Sequence, residues 1–334
     1  MSSLENVRVA VYGTGNFANR TRIPNLKQCE SVELVAVCDA NLEAAAATAE
    51  AFEISKTYQD GHQMLEREEF DVLYSLVPAF ARTDVEACAA SKGIHIFSEK
   101  PQAIKMEVAN RIDRAIREAG VLSTVGFRER YRPIFQEAKR ILSDKRIVHV
   151  RFQRFSGVPG PPPGEGESWW SYMEKGGYSA FDWGGHAIDY ARFMTGLDIV
   201  KAQAFYHHPE EFQQPLSTSF HFLLSNGGTM TMGFISAGGT RQEPYYAIFF
   251  EGGCLSVYQY DRIEINDEVV YQGGEFDPWL EQDKTFIEAV RTGGGSILQS
   301  DYHDGLYSLA PLLAGWESAK REGECIDLGS FMKD

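Results

Sequence analysis

The order of apolar and polar positions divides the chain into two registers. Up to about residue 126, apolar runs without strict alternation are separated by helix-type segments. Val7, Val9 and Val11 open the first run. Val32 to Cys38 forms a second that ends at Asp39, and Val72 to Val77, Ile94 to Phe97 and Val121 to Gly126 follow. Between them, Asn41 to Phe52 carries four consecutive alanines and has high helix propensity. Asp60 and Gln63 read as a capping pair opening a short helix. Phe80 to Lys92 is spaced as a helix ending at Gly93, and Lys105 to Ala119 as one closed by Gly120. Buried strands alternating with helices predict a doubly wound parallel sheet covered on both faces, a dinucleotide-binding architecture.

Beyond about Arg130 the strands alternate. Leu216, Thr218, Phe220, Phe222 and Leu224 share one face, Ser225 to Gly228 supplies a turn, and Met230, Met232 and Phe234 continue on the far side as a hairpin. Tyr246 to Phe250, Leu255 to Tyr260, Ile263 to Asn266 and Val269 to Tyr271 extend an open-faced, mostly antiparallel sheet. Helices over Pro278 to Arg291 and Asp301 to Arg321 close the chain. The expected division is 1–126 for the nucleotide-binding domain and 127–334 for the second, α+β domain. Val158 to Gly166 (VPGPPPGEG) reads as a surface or pocket-rim loop.

Composition narrows the function classes. A formal charge of −15 with no basic run argues against nucleic acid and anionic membrane as partners. The longest apolar run, Val72 to Ala81, is too short to span a bilayer, and MSSLENVRVAV has no signal-peptide pattern. Five scattered cysteines without CxxC spacing read as reduced and buried. The expectation is a cytoplasmic protein.

Candidate chemistry lies in three places. In VRVAVYGTGNFA, Gly13 permits a tight turn after the first strand, Gly15 lets a phosphate approach the backbone, and Ala18 is small enough for helix–strand packing. Asp39 ends the second strand about twenty residues on, where a carboxylate bonds the adenosine ribose and repels a 2′-phosphate; NAD is therefore favoured over NADP. Lys100 in SEKP follows a parallel strand, placed to bond a substrate oxygen and stabilise charge there. Asp182 and His186 stand four apart, hence on one helix face, as a proton relay in which the carboxylate orients the imidazole. No third metal ligand accompanies them, and no metal is expected. Asp189 and Arg192 read as a supporting or surface pair. His207 to Glu211 carries ligand-type residues without ligand spacing.

GTGNFA, SEKP and GGxxxxDxGxHxxD, in that order, resemble the Gfo/Idh/MocA oxidoreductases (glucose–fructose oxidoreductase, inositol dehydrogenase and their relatives), and Ser300 to Asp327 resembles the family's closing helix and strand. The resemblance implies an NAD-dependent dehydrogenase of a sugar, cyclitol or related polyol, with a second domain used for substrate binding and for homodimer or homotetramer packing. It implies catalytic roles for Lys100, Asp182 and His186, and cofactor contacts from Gly13, Gly15, Asn16, Phe17, Asp39, Pro78, Glu99 and Lys100. Substrate contacts are expected from Arg128, Arg130, Trp169 and Tyr178. Trp169, Trp170, Tyr172 and Tyr178 would stack on a sugar or fill an interdomain core. Arg128, Arg130 and Arg154 would meet a carboxylated sugar or be paired within an acidic protein. Pro78 to Arg82 keeps only the proline of the family's Pro-Asn-x-x-His, and Tyr178 replaces a glycine of its GGG. Two rival functions share these motifs: a redox-neutral glycoside hydrolase or lyase that uses NAD transiently, and a non-catalytic dinucleotide-sensing regulator.

Overall fold

The computed structural model describes residues 5–162, 164, 168–176, 179–239 and 243–333. Its contacts divide the chain into two units. The first runs to Tyr131 and takes back Asp277–Leu306; the second comprises Arg132–Phe276 and the chain from Tyr307 onward. A division at residue 126 would have left the 277–306 segment with the second domain, whereas its apolar side chains pack into the first.

In the first unit, six strands lie in the order β3-β2-β1-β4-β5-β6, all parallel: β1 (Val7–Tyr12), β2 (Val32–Cys38), β3 (Thr57–Tyr58), β4 (Val72–Ser75), β5 (His95–Ser98) and β6 (Ser123–Val125). The helices between them start and stop where their end residues direct. Asn41 caps the Leu42–Phe52 helix by accepting from the Glu43 and Ala44 N–H groups, and Asp60 caps Gly61–Arg67 through the Gln63 N–H. Gly120, in the left-handed region, ends Met106–Ala119. Val7, Val9, Val11, Val37 and Val72 share one core with Phe286, Ile287 and Val290 of the Pro278–Thr292 helix. Tyr74 stacks on Phe97 at 4.4 Å, and Phe286 meets both rings edge-on.

The expected helix over Phe80 to Lys92 is two elements, a 3₁₀ turn at Ala79–Ala81 and a helix at Val85–Ser91. The break turns Arg82 inward, where its fully buried guanidinium ties β4 to β5.

Among its described residues the second unit carries nine strands in the order β14-β13-β12-β11-β7-β10-β9-β8-β15. They are β7 (Ile147–Phe155), β8 (Ile199–His207), β9 (Ser217–Leu224), β10 (Thr229–Ile235), β11 (Tyr246–Phe250), β12 (Gly253–Tyr258), β13 (Arg262–Ile265), β14 (Glu268–Gln272) and β15 (Ile326–Asp327). Pairing is antiparallel except between β7 and β10. Phe220, Phe222, Met230 and Met232 face the core, while Phe205, His221 and Phe249 are exposed on the other side. The Ser179–Thr195 helix packs on the inner face, where Tyr246 on β11 donates its hydroxyl to the Ala187 carbonyl. The five cysteines form no disulfide; contrary to expectation only Cys38 is buried, and Cys325 is exposed.

Candidate active site

The glycine turn follows β1 because the chain there must pass close to its neighbours. Gly13 has φ +101° and donates its N–H to the Cys38 carbonyl; a Cβ on it would stand 2.8 Å from the Val77 nitrogen. A Cβ on Gly15 would meet nothing within 4 Å, and Gly15, Asn16 and Phe17 form an exposed run at the start of a helix that continues through a π-type turn at Ala18–Arg22. Asn19 holds the turn from within, donating Nδ2 to the Thr14 and Gly15 carbonyls.

Asp39 fastens the turn from the next strand. Its Oδ2 accepts from the Thr14 N–H at 2.7 Å and the Thr14 hydroxyl at 3.1 Å, and its Oδ1 accepts from the Asn41 N–H at 2.9 Å. A carboxylate has about four acceptor positions. Three are taken, and one is left for a ribose hydroxyl. An open glycine at a helix N-terminus and a held acidic group at the end of β2 fit the phosphates and ribose of a dinucleotide.

Beyond β5, Glu99 is buried and Lys100 half-buried, and the Lys100–Pro101 peptide is cis. The Glu99 carboxylate, expected at the cofactor, accepts from Arg22 Nε at 2.9 Å and Nη2 at 2.5 Å, while its other oxygen takes the Lys100 N–H at 3.2 Å. Arg22 is also bonded to Asp283 at 2.8 Å and to Gln282 at 3.0 Å. Burial pushes the Asp283 carboxyl up to about 6, against the pull of Arg22 and Asn25; one guanidinium thus serves two buried carboxylates. On the other side, Arg82 bonds Ser75, Glu86 and Ser98 and donates Nη2 to the Glu99 carbonyl. Two buried arginines therefore hold the residue before Lys100. Neither was expected, although Arg82 occupies the position of the histidine in the pattern the chain resembles. Pro78, half-buried, precedes the 3₁₀ turn that turns Arg82 inward.

Arg128 and Arg130, expected at the substrate, are paired within the first unit. Arg128 Nε lies 3.1 Å from Glu129, with its guanidinium 4.3 Å over the Trp279 ring; Arg130 Nη2 lies 2.7 Å from Asp304, and Nη1 donates to the Gln299 carbonyl.

In the second unit, Asp182 and His186 both lie on the Ser179–Thr195 helix. His186 is 2% exposed, and its Nδ1 is 2.7 Å from the Tyr190 hydroxyl, with the two rings stacked at 5.2 Å. Tyr190 was not foreseen as a partner of the imidazole, although its i, i+4 spacing from His186 is the same as that between Asp182 and His186. Arg192 bonds Asp198 at 2.7 Å and donates to the Ser308 hydroxyl, which donates to Asp189. Trp169 meets the exposed Trp170 edge-on at 5.4 Å; Tyr178 lies outside the described residues. Lys100 belongs to the first unit, Asp182 and His186 to the second. Among the described residues no cluster of three or more His, Cys, Asp or Glu side chains is placed to hold a metal ion, and no helix is long and apolar enough to cross a membrane.

Residues 7–127 match the model of the Gfo/Idh/MocA oxidoreductase family with its NAD-binding Rossmann fold, and residues 135–256 match the family's C-terminal domain. The chain is 28% identical over 195 residues to scyllo-inositol 2-dehydrogenase (NAD(+)) of Bacillus subtilis, covering 58% of this chain and 55% of that one. It is 28% identical over 204 residues to D-glucoside 3-dehydrogenase of Escherichia coli, covering 59% and 56%. It thus spans about half the length of the curated relatives it matches. An oxidoreductase structure from Thermotoga maritima superposes with a TM-score of 0.82 at 20% identity, covering 98% of this chain and 99% of that one. The chain belongs to the Gfo/Idh/MocA oxidoreductase family.

Proposed function

We propose that the protein is an NAD-dependent dehydrogenase acting on a hydroxyl carbon of a sugar, cyclitol or related polyol. The observation that carries the reading is the arrangement of one sheet: the glycine turn, Asp39 and Lys100 follow the carboxyl ends of β1, β2 and β5, the edge at which open parallel sheets take their ligands. Bound NAD supplies a hydride acceptor. Gly13 and Gly15 admit its phosphates, and Asp39 takes a ribose hydroxyl.

In this reading His186 removes the proton of the substrate hydroxyl, and Asp182, one turn back, favours the charged imidazolium that results. Tyr190 meets the ring at Nδ1, which leaves Nε2 for the proton transfer. Lys100 bonds the same substrate oxygen and stabilises the charge that grows on it before the carbonyl forms. Its backbone is held by the Glu99 contacts described above. The names of the curated relatives, an inositol and a glucoside dehydrogenase, support the substrate class.

The test is turnover of sugars, sugar acids and inositols with NAD, followed as net NADH formation. Lys100→Met and His186→Ala are each expected to lower kcat by about a hundredfold to ten-thousandfold. Full turnover in both variants overturns the assignment. Consumption of a glycoside without accumulation of NADH identifies a redox-neutral reaction instead.

A further inference from the structure

Three arginines were candidates for a carboxylated substrate, and the structure separates them. Arg128 and Arg130 have acidic partners at 3.1 and 2.7 Å. Arg154, near the end of β7, has none among the described residues. It lies opposite Phe234 of β10, and its guanidinium lies 3.7 Å over the ring of Trp183, between Asp182 and the helix turn that carries His186. The indole covers one face of the group. Two of its donors are unmet, one on each edge of the group: Nε and Nη1 are buried from solvent and bond no acceptor among the described residues.

That arrangement is costly unless something completes it. A buried N–H without an acceptor costs about 1–3 kcal/mol, and a guanidinium does not escape by losing its proton. Burial pulls the Arg154 group down from its ordinary range, against the opposing influence of Tyr245, Asp182 and Tyr260. The aromatic side chains Trp183 and Tyr245 lie beside it, with ring centroids 6.5 Å apart, so the neighbourhood offers flat apolar faces together with a cationic group. Stacking on indole leaves the in-plane donors of an arginine directed outward, the geometry that takes a planar anion through two parallel bonds.

We infer that Arg154 is a specificity residue that binds a carboxylate of the substrate, making a sugar acid rather than a neutral polyol the preferred ligand. A hydroxyl would meet one N–H; a carboxylate accepts from two donors of one guanidinium edge, Nη2 with either Nε or Nη1, and brings a negative charge to the cation. A phosphate dianion suits the place less well, because Asp182 already contributes negative charge there. The inference rests on the dehydrogenase reading of the same site, and it concerns which member of the class is held.

The test uses the full-length protein with NADH bound and measures Kd by calorimetry for three pairs: D-glucuronate with D-glucose, D-galacturonate with D-galactose, and D-gluconate with D-glucitol. At least one acid is expected to bind about tenfold to a hundredfold tighter than its neutral counterpart, the range of a charge-assisted hydrogen-bonded pair. Arg154→Gln is expected to bring that ratio close to one, and Arg154→Lys to retain part of it. The inference is overturned if no acid outbinds its neutral partner in the wild type, or if Arg154→Gln weakens acid and neutral ligands alike, the result of an arginine that only supports Asp182. The wild-type comparison decides even if Arg154→Gln does not fold. Binding of the acids without NADH formation from NAD would leave the carboxylate site standing and refute the dehydrogenase reading.

Discussion

Asp39 shows how much one side chain carries. Its carboxylate fastens Thr14 and Asn41 and, in the function we propose, gives its remaining acceptor position to the cofactor. Asp39→Asn keeps the shape and removes the charge, so it is expected to weaken NAD binding by about tenfold and to narrow the preference over NADP, because the 2′-phosphate no longer meets a carboxylate. Fluorescence titration with both cofactors measures it, and a wild type that prefers NADP would overturn the assignment. The place of Asp39 beside the glycine turn was legible in the sequence because its distance from that turn is a local matter. Arg22 was not. Its ion-pair partner Asp283 lies 261 residues away, and no local period marks such a pair. Arg154 was legible only as one of three similar arginines; which of them has no acidic partner among the described residues is decided by tertiary neighbours.

At the scale of elements, apolar patterning found most of the parallel strands and the β9–β10 hairpin, because burial on two faces or on one leaves different periods. It missed β7. Along β7, His149, Arg151 and Gln153 alternate with Val150 and Phe152, the period of a half-buried strand. It also joined the 3₁₀ turn at Ala79–Ala81 to the helix after it, since the cause of the break is a buried network made with β4 and β5. Packing between elements is tight where the Tyr302–Lys320 helix crosses β9: a Cβ on Gly315 would stand 2.5 Å from the buried Phe220 ring. Alanine would gain about 1 kcal/mol of helix propensity there, whereas overpacking costs about 1–3 kcal/mol. The ring is stiff and enclosed, so the second effect wins. Gly315→Ala is expected to lower stability by about 1–2 kcal/mol in urea unfolding, and a stabilised variant would show that the ring yields.

At the scale of the molecule, the buried acids around Arg22 give stability a pH dependence. The Asp283 carboxyl moves from its ordinary 3.8 to about 6 on folding. Between those values the folded protein holds the proton more tightly than the unfolded chain, so the contribution of this group to stability falls as pH rises through that window and is lowest above it. Asp283→Asn cannot ionise and lacks this slope. The melting temperature of the wild type relative to Asp283→Asn is therefore expected to decline from about pH 4 to about pH 7; a difference that stays flat or rises would show that the carboxyl ionises as easily folded as unfolded.

The return of Asp277–Leu306 to the first unit bears on how the chain is made. Synthesis delivers β1 to β6 first, yet Phe286, Ile287 and Val290 of their shared core, and the Asp283 partner of Arg22, come after all of β7 to β14. A nascent chain that has emerged only as far as β14 carries a nucleotide-binding sheet with an unfilled side and a buried cation short of one counter-charge. The earlier half of the protein must wait for the later half, and the interval exposes apolar surface to chaperones and to neighbouring chains.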